Sequence, residues 1–211
     1  IRDRDTVIEE GKRAPSLFVG YVKSSFDIGS TTILPGLSYI YGSSRLDHRD
    51  DEENPHAFAG DSSIYAVDLT VKHFFDSYSF LTWQSEWMMR NMEGTQYSVD
   101  PADIGTVTSQ ADITRKQAGY YTQLVYAYDQ NWRVGARYDS IYRNDVTAQN
   151  LPEDMDRYSA MVEYHPSEFS RIRLEYNRNN ALFDEAGDRQ SLDTVMLQFN
   201  IAIGAHGAHD F

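Results

Sequence analysis

Apolar and polar residues exchange places at almost every position over long stretches of this chain. Val195, Leu197, Phe199, Ile201 and Ile203 share one face, and Thr194, Met196, Gln198 and Asn200 the other. Ile172, Leu174 and Tyr176 alternate with Arg171, Arg173, Glu175 and Asn177, and Trp132, Val134, Ala136 and Tyr138 with Arg133, Gly135, Arg137 and Asp139. The same rule orders Tyr65, Val67, Leu69 and Val71 against Asp68, Thr70 and Lys72. It also sets Leu81, Trp83, Trp87 and Met89 against Thr82, Gln84, Glu86 and Arg90. Residues 17–27, 32–42, 117–128 and 157–165 follow it less cleanly. A period of two is the signature of a strand with two chemically different faces, and it predicts about nine strands and no helix.

Alternation alone is also what a soluble sandwich or a lipocalin-like barrel would show, with the apolar face inward. Three features favour the inverse. The polar face is charged on strand after strand: Asp68, Lys72, Glu86, Arg133, Arg137, Asp139, Glu163, Arg171, Arg173 and Glu175. A membrane barrel with a wet lumen needs such a face, and these ten residues are the expected pore lining. Aromatics sit at the two ends of the apolar face. Tyr128, Trp132 and Tyr164 mark one end, and Tyr39, Trp87, Tyr120, Tyr138, Tyr158 and Tyr176 the other, as lipid–water boundaries favour.

The third feature is loop length. Connections at Gly29–Ser30, Phe75–Ser79, Asp129–Asn131 and Pro166–Phe169 read as tight, whereas Ser43–Ser63, Asn91–Lys116, Tyr142–Asp156 and Asn179–Ser191 read as long loops. Short periplasmic turns and long external loops are the rule for outer-membrane barrels. On that rule the last strand ends in the periplasm and residues 1–15 are the remnant of an external loop. An odd strand count starting outside then predicts the C-terminal part of a larger, even-stranded barrel. The expected class is an all-β, antiparallel up-and-down transmembrane β-barrel in a single domain spanning 1–211.

Composition sharpens what is excluded. Apolar residues make up 41% of 211 residues, and no apolar run approaches the ~20 residues of a membrane helix. With 19 basic against 32 acidic residues the net charge is -13, which argues against a nucleic-acid partner. There is no cysteine, so disulfides, thiolate metal sites and a cysteine nucleophile are excluded.

The segment IYAVDLTVKHFF…FLTWQSEWMMRNMEG resembles the Y-G-x-D-L-T-x-K-W…x-W-Q-x-E hairpin of a porin-like family of bacterial outer-membrane β-barrels. That family is also labelled zinc-regulated TonB-dependent outer-membrane receptor. The stretches GYYTQLVYAYDQNWRVGARYD and HPSEFSRIRLEYNRNNA resemble its following hairpins, and LQFNIAIGAHGAHDF its closing strand, so the resemblance covers roughly residues 62–211. It implies an outer-membrane barrel in contact with lipid and lipopolysaccharide. It also implies a terminal aromatic, Phe211, as the signal read by the barrel-assembly machinery.

Candidate chemistry outside the lumen is sparse. His48, Asp50, Asp51 and His56 lie close enough in sequence to share a zinc or other divalent cation, against the alternative of a solvated acidic loop. Acidic groups in all the long loops would form a negative vestibule that concentrates cations, with Ca²⁺ or Mg²⁺ bound beside lipopolysaccharide phosphates. Otherwise no cofactor is expected. His206 and His209 read as strand-end turn chemistry rather than half of a metal site. No G-x-S-x-G, H-E-x-x-H or phosphate-binding glycine loop occurs, so no enzymatic activity is expected. Inward arginines could form a basic ladder or close on neighbouring carboxylates as salt bridges, and the sequence leaves both open. The expected function is passage of small hydrophilic solutes or ions through a charged lumen. The alternatives are a zinc or metal-chelate receptor and a non-conducting, partner-binding barrel; a homo-oligomer is compatible with each.

Overall fold

The computed structural model describes residues 17–49, 51, 55–145, 155–183 and 188–202. None of them is helical; the chain is all-β. The strands are β1 (Leu17–Lys23), β2 (Phe26–Ile28), β3 (Thr31–His48), β4 (His56–Phe74), β5 (Phe80–Asp100), β6 (Asp103–Ala127), β7 (Trp132–Asn144), β8 (Met155–Ser167), β9 (Ser170–Phe183) and β10 (Arg189–Ile201). They form one antiparallel up-and-down sheet in the order β1-β3-β4-β5-β6-β7-β8-β9-β10, with β2 also paired to β3.

The stretch 17–27, read as a single strand, is split, and the reason is Pro35. β1 pairs with β3 up to Lys23 opposite Gly36, and β2 resumes at Phe26 opposite Ile33. The gap faces Leu34 and Pro35; proline has no N–H to give, and only its carbonyl accepts, from Ser24 N–H at 3.2 Å.

Tight turns fall where the sequence placed them, all at one end of the sheet. Gly29, with φ of 59°, supplies the left-handed corner between β2 and β3. The next two turns share one device. The Asp76 carboxylate accepts from the N–H groups of Tyr78 and Ser79, both at 2.8 Å, and Asp129 accepts from Asn131 at 2.8 Å and Trp132 at 2.7 Å.

Two of the expected long loops, 43–63 and 91–116, are by contrast mostly strand among the described residues. β3 and β4 stay paired to His48 opposite His56, and β5 and β6 to Asp100 opposite Asp103, leaving only Pro101 and Ala102 as the turn. β6 alone runs 25 residues, roughly 80 Å at the usual rise. The polar composition of 43–63 and 91–116 suggested loop, but the backbone ladder continues through them without the regular apolar alternation of the band below. These segments form a tall stalk beyond the alternating zone. At its top Ala57 and Tyr97 are buried with Ala59 and Val107 packed beside them.

The sheet is open. Nine positions of antiparallel path leave β1 and β10 running the same way, so neither can close antiparallel on the other. Among the described residues neither outer edge has a strand partner.

Candidate functional site: the charged face of the sheet

Register assigns every side chain in the alternating zone to one of two faces. One row reads Ile33, Val71, Trp83, Leu124, Ala136, Ala160, Tyr176, Val195; the next reads Thr31, His73, Leu81, Tyr126, Val134, Val162, Leu174, Leu197. Neither row contains an acidic or a strongly basic side chain. This face is the exposed one: Val134 is 48% exposed and Leu174 51%. Two of its polar groups are bonded within the sheet, Trp83 Nε1 donating to Thr122 Oγ1 at 2.8 Å and His73 Nδ1 lying 2.8 Å from Thr31 Oγ1.

Ring contacts edge this apolar band on both sides. At the short-turn end Trp132 packs on Tyr164 with centroids 4.8 Å apart, and Phe75 bridges His73 and Tyr126. At the other end run Phe18–Tyr39–Tyr65 and Tyr142–Tyr120–Tyr138–Tyr158, and Trp87 donates to the Tyr142 hydroxyl at 2.6 Å. Above this second edge the same face turns polar at once, with Ser63, Asn91 and Lys116 in one row and Asp61, Glu93 and Thr114 in the next.

All ten residues singled out as a charged lining fall on the opposite, sheltered face, in five successive rows of register. Most are engaged. Asp68 binds Lys23 at 2.6 Å, reaching across Gly36, where a Cβ would lie 1.9 Å from the carboxylate. Arg137 binds Asp139 at 2.7 Å and stacks over the Tyr121 ring at 3.8 Å, and Arg157 meets the same aspartate at 3.3 Å. Glu86 lies in the row of Asp68 and Tyr121. Glu163, only 3% exposed, is the hub. It accepts from Arg173 Nε at 2.6 Å, lies 3.4 Å from Arg171 Nη1, and sits 3.2 Å from His165 Nε2. Arg173 also reaches Glu175 at 3.4 Å, and Asn177 donates to Glu175 at 3.0 Å. Lys72 and Arg133 take no carboxylate; both lie over the Phe80 ring, at 4.3 and 5.7 Å.

The two readings of the arginines are therefore resolved residue by residue. Arg137, Arg171 and Arg173 are salt-bridged, and Arg133 meets no carboxylate among the described residues. Between them lies a groove of about 500 Å³ lined by Arg137, Arg157, Ser159, Arg173, Glu175 and Asn177. Sequence reading missed Lys23, Tyr121, Arg157 and His165. Tyr121 was hidden by its neighbour Tyr120, the two adjacent rings facing opposite sides of the sheet.

The metal candidates meet only in part. His48 and His56 are a facing pair, rings 5.3 Å apart and edge-on, and Asp51 N–H donates to the His48 carbonyl at 3.3 Å. Asp50 lies outside the described residues, as do residues 1–15, His206, His209 and Phe211. Among the described residues no group of three or more potential metal ligands gathers anywhere. Several vestibule acids serve local structure instead. Asp103 accepts from Gly105 N–H and Thr106 Oγ1, and Thr95 Oγ1 donates to Asp112 at 2.9 Å. The Arg49 guanidinium, 2.8 Å from Asp47, holds that carboxyl below its ordinary range.

Fold and site together define an antiparallel meander of inverted polarity, apolar where exposed and charged where sheltered. Among curated proteins the chain is similar to one from Aquifex aeolicus (strain VF5), described only as an uncharacterized protein. The two are 43% identical over 201 residues, covering 93% of this chain and 41% of the relative. The chain thus spans less than half the length of the curated protein it matches. No family model and no solved structure matches it.

Proposed function

We propose that this sheet is one wall of a transmembrane β-barrel in a bacterial outer membrane. Its apolar band faces lipid, and its charged face lines a channel for small hydrophilic solutes or ions. The observation that carries the reading is the coincidence of three boundaries on one face. The charge-free rows begin and end at aromatic edges, and polar residues start immediately beyond. A soluble sheet has no reason to expose Val134, Leu174 and Leu197 to water while sheltering Glu163. A wet lumen also accounts for side chains that bond along and across strands, Gln123 to Gln84 at 2.6 Å and Arg137 to Asp139, instead of packing dry.

The work of such a lumen is electrostatic, without a chemical step. Fixed pairs such as Arg137–Asp139 and Arg173–Glu163 set the local field, and the groove beside them leaves room for a hydrated solute. The test is reconstitution of the full-length protein into planar bilayers. Discrete conductance steps, with a reversal potential that moves when Arg137 is neutralised, are expected. Protein that stays soluble and monodisperse without detergent would overturn the membrane reading, and a membrane-inserted protein without conductance would overturn the channel.

A further inference from the structure

The charges on the sheltered face do not cancel, and the remainder is concentrated in one place. Lys23, Arg137, Arg157, Arg171 and Arg173 each have a carboxylate within 3.4 Å. Arg90 is held by Ser62, Gln117 and Met92. Lys72 and Arg133 have no carboxylate and no hydrogen-bond acceptor for their side chains among the described residues. The Nε atoms of Arg133 and of its neighbour Arg171 are both buried without a partner.

Nearby carboxylates are already committed. Glu163 stands directly across from Arg133 in register, yet it is taken by Arg173, Arg171 and His165. Asp27, in the row of Thr32 and Lys72, accepts from Thr32, and Asp68 is bound to Lys23. What surrounds the two cations is aromatic. The Lys72 ammonium sits 4.6 Å from the Phe74 centroid and 4.3 Å from that of Phe80, and the Arg133 guanidinium 5.7 Å from the latter. Two cations sharing one ring repel each other, and sheltered donors without partners are costly. An anion between them removes both penalties. Arginine offers a planar fork matched to two oxygens, and lysine a point charge from the side.

We infer that Lys72 and Arg133, on the floor made by Phe80, form a binding site for a small oxyanion, a phosphate or a carboxylate, near the short-turn end of the lumen. The inference rests on the sheltered face being a wet lumen, and it deepens that reading by naming the solute class. A cationic constriction of this kind passes anions by binding them briefly. It lies at the opposite end from the acidic stalk.

Binding is measured separately from conduction. Isothermal titration of the full-length protein in detergent with inorganic phosphate, and in parallel with acetate, is expected to show saturable binding of at least one. The stronger of the two identifies the oxyanion. Arg133→Gln and Lys72→Gln are each expected to weaken it about tenfold or more, the range of one charge-assisted hydrogen bond. Arg143→Gln, which removes a cation paired with Asp145 at 2.8 Å near the other end, leaves it unchanged. A measurement without variants covers a failure to refold: saturating phosphate or acetate protects Lys72, and not Lys116, from amine acetylation read by mass spectrometry. Wild-type protein that binds neither anion, or variants that bind as wild type does, would sink the site. Binding without bilayer conductance would sink the channel and leave the site standing; conductance without binding would do the reverse.

Discussion

Removing the Glu163 carboxylate is the most informative single perturbation, because three basic groups converge on it. Glu163 is 3% exposed, while Arg171 and Arg173 are 29% and 27% exposed at their side chains. Breaking a fully buried pair by deleting one partner costs about 3–5 kcal/mol, and an exposed pair under about 1 kcal/mol. With the acid buried and its arginines partly wet, Glu163→Ala is expected to cost about 2–3 kcal/mol, most of it from leaving Arg171 and Arg173 facing each other and Arg133. Arg173→Ala alone leaves Arg171 and His165 on the carboxylate, so its cost is smaller, about 1–2 kcal/mol. The double variant is expected to be less damaging than the sum, with a coupling of about 1–2 kcal/mol. The assay is urea unfolding of the full-length protein refolded in detergent micelles, followed by tryptophan fluorescence. Trp132 lies on the strand next to Glu163 and reports directly. A second readout is independent of stability: losing the acid adds net positive charge beside Lys72 and Arg133, so phosphate affinity should rise. If Glu163→Ala unfolds within about 0.5 kcal/mol of wild type and the cycle shows no coupling, the sheltered face is fully solvated and the electrostatic argument fails.

Three further outcomes follow from the same geometry. Leu174→Arg, on a charge-free row of the outer face, is expected to lower the stability of the lipid-inserted protein by about 2–4 kcal/mol. Ser159→Arg, on the sheltered face, should cost under half of that; equal costs would mean the faces are assigned backwards. Gly36→Ala places a methyl where the Asp68 carboxylate lies, so the Lys23–Asp68 pair must open. Its effect on chemical denaturation should match that of Asp68→Asn and add nothing to it in the double variant. The Asp76 carboxyl is held below its ordinary value of 3.8 by the N–H groups of Tyr78 and Ser79 and the Ser79 hydroxyl. A depressed folded-state value stabilises the turn above pH 3.8, and that contribution disappears as acid protonates the group below it. Asp76→Asn should therefore flatten acid unfolding below about pH 4, while a profile unchanged from wild type would remove Asp76 from the account.

How far the sequence could be read depended on whether a strand alternates regularly between apolar and polar residues. Where one face is apolar, as from Val67 to Val71 or Val134 to Tyr138, alternation located each strand and put all ten charged residues on a common face. Turn chemistry was equally legible, since Gly29, Asp76 and Asp129 act locally. The stalk was not. Residues 43–48, 56–63, 91–100 and 103–116 show no regular apolar alternation, although Phe58, Tyr97 and Val99 are buried there, and their strands are visible chiefly in the backbone ladders. The paired Gly60 and Gly94 show what does matter there. A Cβ on either would meet the opposite backbone at 2.2 or 2.3 Å, a closeness that only the absent side chains permit. Partner choice among the charges was hidden for another reason. Arg133 on β7 and Arg173 on β9 both face Glu163 in register, and the acid goes to Arg173 with Arg171 beside it, a choice between two neighbouring strands that alternation does not encode.

That competition also bears on how charge is distributed along the sheltered face. Arginines two residues apart on β9 reach Glu163, on β8, from the same side, and His165 closes it from its own strand. The acid is saturated, and the surplus positive charge is pushed one strand over to Arg133 and across Phe80 to Lys72. Toward the stalk the charges balance, Lys23, Arg137 and Arg157 standing with Asp68, Glu86 and Asp139. Along the axis of the sheltered face the fixed charge thus changes from mixed and acid-bearing to net basic over a few rungs. A field of that shape slows cations and draws anions toward the short-turn end. Lys72 and Arg133, which take no carboxylate among the described residues, are the two whose neutralisation should change what the proposed channel carries.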